Sequence, residues 1–433
     1  MSVATATGGG SPEVKSVITC DLEGRIETFN KGASEIFGYG ADEVVGKKRV
    51  SLFSPGLTVL EHVPAWLKAA VDHGVYEGKT VFVRKDGASF PAQIKITPTF
   101  KQGKQIGYCG VSVPLPQTEL ENARPKISPF TRIFAALVVT RAPFLTATVV
   151  PVLIGAAWAA GQLGTGAFPW MLFVLSLIGA CALHVSANTF NDYFDWTSGT
   201  DQNNNDYFLP FSGGSRSIEL GLISVAGLYR LAWISLGVAT ACGVAIIAAT
   251  GPWVLLFGVL GAFAAYFYTA PPLRLAARRG LGELWVGLSF GPLMTAGTAT
   301  ALTGTLSWES FWVGLPVGLL TTAILYINEF PDAESDARTG KNHLVVTFGK
   351  ARARWGYIAL LLGAAGSLGA LVSSGVVPGL GLLALLSAPL GLHASRVLFQ
   401  KFEARELIAG NRSTILLQLV FGLLMVAGMT IKL

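Results

Sequence analysis

The chain has 433 residues, of which 51% are hydrophobic and only 13% charged, against about 25% charged in an ordinary soluble domain. That balance excludes a single soluble globule and suggests a membrane protein with room for two domains. The net charge of +6 does not imply nucleic acid, because the excess lies in short loops between apolar runs, as the positive-inside rule requires of a membrane protein. Cys20, Cys109, Cys181 and Cys242 form no CxxC pair and the five histidines no ligand cluster, so neither a zinc site nor a disulfide framework is expected. Met1 to Pro12 lack the apolar core of a signal peptide, which predicts a cytoplasmic N-terminal head.

Residues up to about 130 carry charge at ordinary density. Ile18 to Asn30 reads as strand, turn and strand, with Asp21-Leu-Glu-Gly24 at the bend. Ala33 to Tyr39 and Glu43 to Gly46 read as short helices, and Phe82 to Ile96 as a hairpin around Asp86-Gly87. Gln105 to Tyr108 opens a last strand. Over 14–115 this pattern resembles a PAS domain, an α+β fold whose members bind haem, flavin or small ligands, or pair with other domains. The resemblance therefore allows a homodimer through the head. The flavin-adduct cysteine motif is absent, and His62 and His73 read as surface residues ahead of haem ligands. Residues 116–130, with Pro116 and Pro125, read as a linker.

After Arg132 come about nine apolar segments near the ~20 residues that span a bilayer. They lie near 134–160, 168–190, 223–249, 252–270, 282–303, 310–330, 354–373, 377–397 and 413–431. The predicted fold is therefore the α+β head followed by an all-α polytopic membrane domain over 131–433. Short uncharged loops such as Gly161–Gly166 alternate with basic ones such as Arg338–Arg354 and Arg396–Arg412. This alternation predicts that the head and the basic loops share the cytoplasmic side of the inner (plasma) membrane, with the C-terminus opposite. Lys432 is the one cation that this arrangement leaves outside.

Two acidic clusters interrupt the apolar runs, where ionisable groups are costly and usually functional. Asn188, Asn191, Asp192 and Asp195, followed by Asp201, form the first. Asn328, Asp332 and Asp336 form the second, repeating every four residues and hence on one helical face. Stacked carboxylates beside amide oxygens suit a hard cation such as Mg²⁺, which is commonly held by one or two carboxylates plus phosphate oxygens. Arg216 after Gly213-Gly214-Ser215, Arg274 and Lys341 are cations placed to take remaining phosphate charge. Solvated helix ends are the plainer reading of one such cluster; two on alternate loops of a charge-poor chain argue against it. Glu283 reads equally as a first-turn dipole partner or a substrate contact. His184, on an apolar helix, reads as a hydrogen-bonded core residue.

These motifs, together with Tyr268-Thr-Ala-Pro271-Pro272-Leu-Arg274 and Gly280-Leu-Gly282-Glu283, resemble the UbiA superfamily of intramembrane prenyltransferases over about 131–433. Gly199-x-Asp201 and Gly-Leu-Gly-Glu look like its menaquinone-biosynthesis branch, which prenylates 1,4-dihydroxy-2-naphthoate. The chain departs from the pattern at Asn203 to Phe208 and at Asn342-His343. The resemblance implies a Mg²⁺-dependent enzyme. Asp192, Asp195, Asp332 and Asp336 would be catalytic, and Asn191, Asp195, Asp201, Asp332 and Asp336 metal-binding. Asn188, Asn191, Arg216, Tyr268, Arg274, Asn328 and Lys341 would hold the prenyl diphosphate. The aromatics Tyr193, Phe194, Tyr268 and Tyr326 would shelter the allylic cation. Other lipid or ring acceptors, and a membrane sensor that binds quinone or isoprenoid without turnover, stand as alternatives.

Overall fold

The computed structural model describes residues 14–54, 56–164, 167–203 and 214–431. Met1 to Pro12, Asn204 to Phe208, Gly213 and Lys432, all singled out in the sequence, lie outside the described residues. The contacts divide the chain into two units, Met1–Val138 with Ser217–Ser224, and Val139–Arg216 with Val225–Leu433.

The head is a five-stranded antiparallel sheet in the order β2-β1-β5-β4-β3, with β1 Ser16–Asp21, β2 Ile26–Phe29, β3 Tyr76–Val83, β4 Ser89–Lys101 and β5 Lys104–Pro114. Its turns form for local reasons. Asp21 Oδ1 accepts from the backbone N–H groups of Glu23 and Arg25 at 2.9 and 2.8 Å, and Gly24 takes the positive φ that closes the bend. Asn30 caps α1 (Lys31–Phe37) by accepting from Ala33 N at 2.8 Å. The concave core is aromatic: Phe37 packs on Phe53 at 4.2 Å between centroids, and on Phe82 and Phe90. Helix α2, Gly56–His73, covers strands β3 and β4.

The second unit is helical. Among the described residues, seven helices are long and apolar enough to cross a membrane. Two more of the expected segments take other forms: 252–270 becomes a fifteen-residue helix, Trp253–Phe267, and 282–303 becomes Leu281–Leu288 and Met294–Thr303 joined by a π-helical turn, Ser289–Leu293, that contains Pro292. The segment expected at 134–160 is also divided. Pro129–Val139 ends before Arg141, which adopts φ +52°, and the spanning helix Thr146–Leu163 follows. Pro143 lies in the short turn between them.

Large apolar side chains such as Met171, Ile234, Val259, Leu362 and Leu392 are exposed, as expected of a surface facing lipid. The buried core runs through Val150, Ile154, Val317, Leu320, Leu368 and Phe421. Helices approach closely at small residues, as packing inside a bilayer favours. A Cβ on Gly318 would meet the Gly287 carbonyl oxygen at 2.4 Å, and one on Gly291 would meet that of Gly314 at 2.5 Å. The acidic clusters ride on two helices that outrun their apolar segments, Trp170–Thr197 and Leu315–Arg338. Both motifs are therefore helical, as their spacing predicts.

Candidate active site

The helix Trp170–Thr197 presents Asn188, Asn191 and Asp195 to a cavity of about 260 Å³, and Leu315–Arg338 presents Asn328, Asp332 and Asp336 to the same cavity. Two motifs far apart in sequence thus share one polar mouth. Asn191 Nδ2 donates to Asp195 Oδ2 at 3.3 Å. Lys341 closes the mouth, its Nζ 3.5 Å from Asp195 Oδ2 and 3.8 Å from Asp336 Oδ2. Burial disfavours the ammonium, yet Asp195 and Asp336 outweigh it and hold the Lys341 pKa well above its usual range. Asn411 Nδ2 donates to Asn328 Oδ1 at 2.6 Å and fixes that amide. Tyr268 and Asp201 also line the cavity.

The remaining expected residues stand behind this wall. Asp192 is turned to Arg141, with which it forms a close ion pair, and it also accepts from Ser215 N at 3.4 Å. Gly214 fits between them at φ +75°, where a Cβ would come within 3.1 Å of both Arg141 Nη2 and Asp192 Oδ1. The Arg216 guanidinium is buried and donates to the Asp201 backbone carbonyl. Arg274, at φ +44°, is not among the cavity-lining residues. Of the four aromatics expected to shelter a cation, only Tyr268 reaches the cavity. Tyr193 and Phe194 pack in a cluster with Tyr229 and Tyr266, and Tyr326 is buried against Phe330. The other aromatic lining comes from Phe144, Trp285 and Phe290.

Sequence reasoning missed a buried ionic knot below the second motif. His343 Nε2 lies 3.2 Å from Asp336 Oδ2, and His343 Nδ1 lies 3.3 Å from Glu329 Oε2. Glu283 Oε1 accepts from Leu344 N at 2.7 Å. Glu283, Glu329 and His343 bring ligand-type atoms within 4.8 Å of one another. Glu283 therefore ties the Leu281–Leu288 helix to the Lys341–Leu344 loop, and it does not line the cavity. Burial opposes charge on His343, but the carboxylates of Glu329 and Asp336 beside it push its pKa up to about 9. Arg141 was also missed, although a lone cation opening the first apolar segment is a visible signal. Asn342-His343 was visible only as a departure from a pattern.

The cavity suits a hard cation and an anion together. Its carboxylates and amides supply oxygen donors, and Asn188 Nδ2 is buried without a partner among the described residues. Burial and the neighbouring Asp195 hold the Asp201 carboxyl well above its usual range, although Arg216 draws it down. Such crowded negative charge is relieved by a bound divalent ion.

Residues 148–428 match the UbiA prenyltransferase family. The chain belongs to this family. UbiA prenyltransferases are enzymes that transfer prenyl groups, and this one is a multi-pass membrane protein. Its head matches the PAS domain family over 14–113. The chain is 26% identical over 298 residues to the 1,4-dihydroxy-2-naphthoate octaprenyltransferase of Bacillus subtilis, covering 68% of this chain and 91% of that protein. It is 30% identical over 275 residues to the protein of the same name from Mycobacterium tuberculosis, covering 60% and 87%. A UbiA homolog from Archaeoglobus fulgidus, solved bound to DMAPP and Mg²⁺, shares its fold at a TM-score of 0.51 and 16% identity, over 67% of this chain and 98% of that one.

Proposed function

We propose that this UbiA prenyltransferase moves a prenyl group from a prenyl diphosphate to 1,4-dihydroxy-2-naphthoate in a Mg²⁺-dependent step, under the influence of its PAS head. The observation that carries the site is Lys341, which bridges Asp195 of one acidic stripe and Asp336 of the other at the polar mouth of a largely apolar cavity. The two curated naphthoate prenyltransferases described above support the acceptor.

Asn191, Asp195, Asp201, Asp332 and Asp336 would hold the metal. When bound, Mg²⁺ supplies Lewis-acid stabilisation of the leaving diphosphate. Lys341 adds a fixed positive charge to the diphosphate oxygens as the allylic C–O bond lengthens, and Asn188 offers an N–H donor. Tyr268, the one expected aromatic that lines the cavity, would shelter the allylic cation. The electron-rich ring carbon of the acceptor attacks that cation, and the ring carboxylate leaves as CO₂. The apolar wall keeps water from the cation. Asp192 and Arg141 act from behind, holding Gly214 and Ser215 against the first stripe.

Intact carboxylates in both stripes favour catalysis over a binding-only sensor. The basic loops support a cytoplasmic side for the head and both stripes. The deciding experiment incubates membranes containing the protein with Mg²⁺, several prenyl diphosphates and a panel of acceptors, and identifies the products by mass spectrometry. A prenylated, decarboxylated naphthoate that disappears with EDTA and returns with Mg²⁺ is expected. Product from a different acceptor alone would overturn the acceptor, and no product from any would overturn catalysis.

A further inference from the structure

Three turns below Asp195 on the same helical stripe stands His184, with Asn191 and Asn188 between them. Eleven residues at 1.5 Å each put it ~16 Å deeper into the membrane unit than the metal-binding carboxylate. It is nearly buried, and its ring packs edge-on against Phe290, which lines the cavity with it. Nδ1 is committed, lying 2.7 Å from the hydroxyl of the fully buried Thr148. Nε2 has no hydrogen-bond partner among the described residues, yet it is not one of the atoms sealed from solvent. A side chain that lines the cavity with one nitrogen bound and the other open offers that second nitrogen to whatever occupies the cavity. Ser289, on the π-helical turn beside Phe290, also lines the cavity, and its hydroxyl is buried without a partner among the described residues. Such turns inside helices are frequent at functional sites.

A hydrogen-bonding group at this depth is costly unless something meets it. The prenyl tail has no polar atom, and the diphosphate is held three turns away. We propose that His184 Nε2 is a specificity-determining contact for an aromatic hydroxyl of the acceptor, on the side of the ring remote from the diphosphate. The state of the imidazole is set by Thr148. If the Thr148 hydroxyl donates to Nδ1, Nε2 carries the proton and donates; if Nδ1 donates, Nε2 accepts. A phenolic hydroxyl satisfies either case, which a ketone or an ether cannot. The contact orients the ring so that the carbon to be alkylated faces the allylic centre, and it takes no part in bond making.

This inference rests on the aromatic-acceptor reading of the site, and the test separates the two. His184→Asn keeps an amide near the Nδ1 position, which preserves the Thr148 bond but abandons the cavity. His184→Gln keeps one near Nε2. With 1,4-dihydroxy-2-naphthoate, His184→Asn should raise the acceptor KM roughly tenfold, the size of one lost hydrogen bond, and leave the prenyl diphosphate KM within about twofold. His184→Gln should restore most of the acceptor affinity. The wild type should also prefer 1,4-dihydroxy-2-naphthoate to 1-hydroxy-2-naphthoate, and His184→Asn should lose that preference, because the lost partner and the lost hydroxyl report one interaction. The proposal is overturned if Asn is tolerated better than Gln, if both KM values move together, or if the preference survives His184→Asn. Whether the wild type uses the naphthoate at all reports on the function separately. If another hydroxylated aromatic is the substrate, the same pair of variants is read on it and on its deoxy analogue.

Discussion

Lys341 Nζ lies 3.5 Å from Asp195 Oδ2, joining residues 146 positions apart. The contact closes the site, since the same ammonium is 3.8 Å from Asp336 on the second stripe. Its consequences are energetic as well as catalytic. Lys341→Met removes the cation between two largely buried carboxylates, and breaking such a pair costs several kcal/mol when burial is complete. Lys341 keeps 21% of its side-chain exposure, so about 2 kcal/mol is expected, readable as a lower unfolding midpoint in detergent. Binding of prenyl diphosphate should weaken as well. Asp195→Ala and Asp332→Ala should leave the protein folded and reduce turnover at least a hundredfold, by loss of charge stabilisation at the leaving group. Near-normal turnover of either variant would remove that residue from the site.

His343 gives the fold a pH limit. Its folded-state pKa of about 9 stands above the ordinary 6.5. The stability that the folded chain gains by holding His343 charged against Asp336 is therefore present below about pH 6.5 and is lost as pH rises through about 9. Unfolding midpoints measured in detergent from pH 6 to 10 should fall across that window. His343→Gln should start lower and show a flatter profile; an unchanged slope would disconnect the bridge from stability.

Close approach of helices makes some glycines irreplaceable. Gly318→Leu drives a side chain into the Gly287 carbonyl, 2.4 Å from where the Cβ would sit. A loss of more than about 3 kcal/mol is expected, seen as failure to recover a monodisperse protein. Gly366 lies on the helix Lys350–Ser373 with open space around its Cβ position. Gly366→Ala should be neutral or stabilising by up to about 1 kcal/mol.

Orientation is tested by single cysteines at exposed positions. A membrane-impermeant thiol reagent applied to intact cells should label Gln162→Cys, in the uncharged Gly161–Gly164 stretch, and should miss Lys401→Cys, at the end of the helix Ala388–Lys401 in a basic stretch. The reverse pattern would invert the topology and put the acidic stripes outside.

The head should modulate the enzyme without joining its chemistry, because all the cavity-lining residues lie at or beyond Arg141. A chain starting near Pro125 should retain transfer activity in membranes. Folded protein that binds prenyl diphosphate but does not turn over would make the head part of the catalytic unit.

What the sequence determined by itself follows from short-range physics. Hydropathy runs and Lys/Arg asymmetry are set by the surrounding solvent, so the membrane class was legible from 132 onward. The spacing of Asn328, Asp332 and Asp336 needs only 3.6 residues per turn to make a stripe, and local turn chemistry at Asp21-Leu-Glu-Gly24 and Asp86-Gly87 made the head legible. Only the tertiary structure decided which stripes face each other, because that depends on how helices pack across long sequence separations. It set Arg141 on a broken helix against Asp192, brought Asn411 to Asn328, and turned Tyr193 and Phe194 out of the cavity. It also enclosed His343 with Glu283 and Glu329. Glu329 is unremarkable in its own stretch of chain, nothing local pairs it with Glu283 or His343, and the charges of the knot become decisive only when packing removes the water that would otherwise screen them.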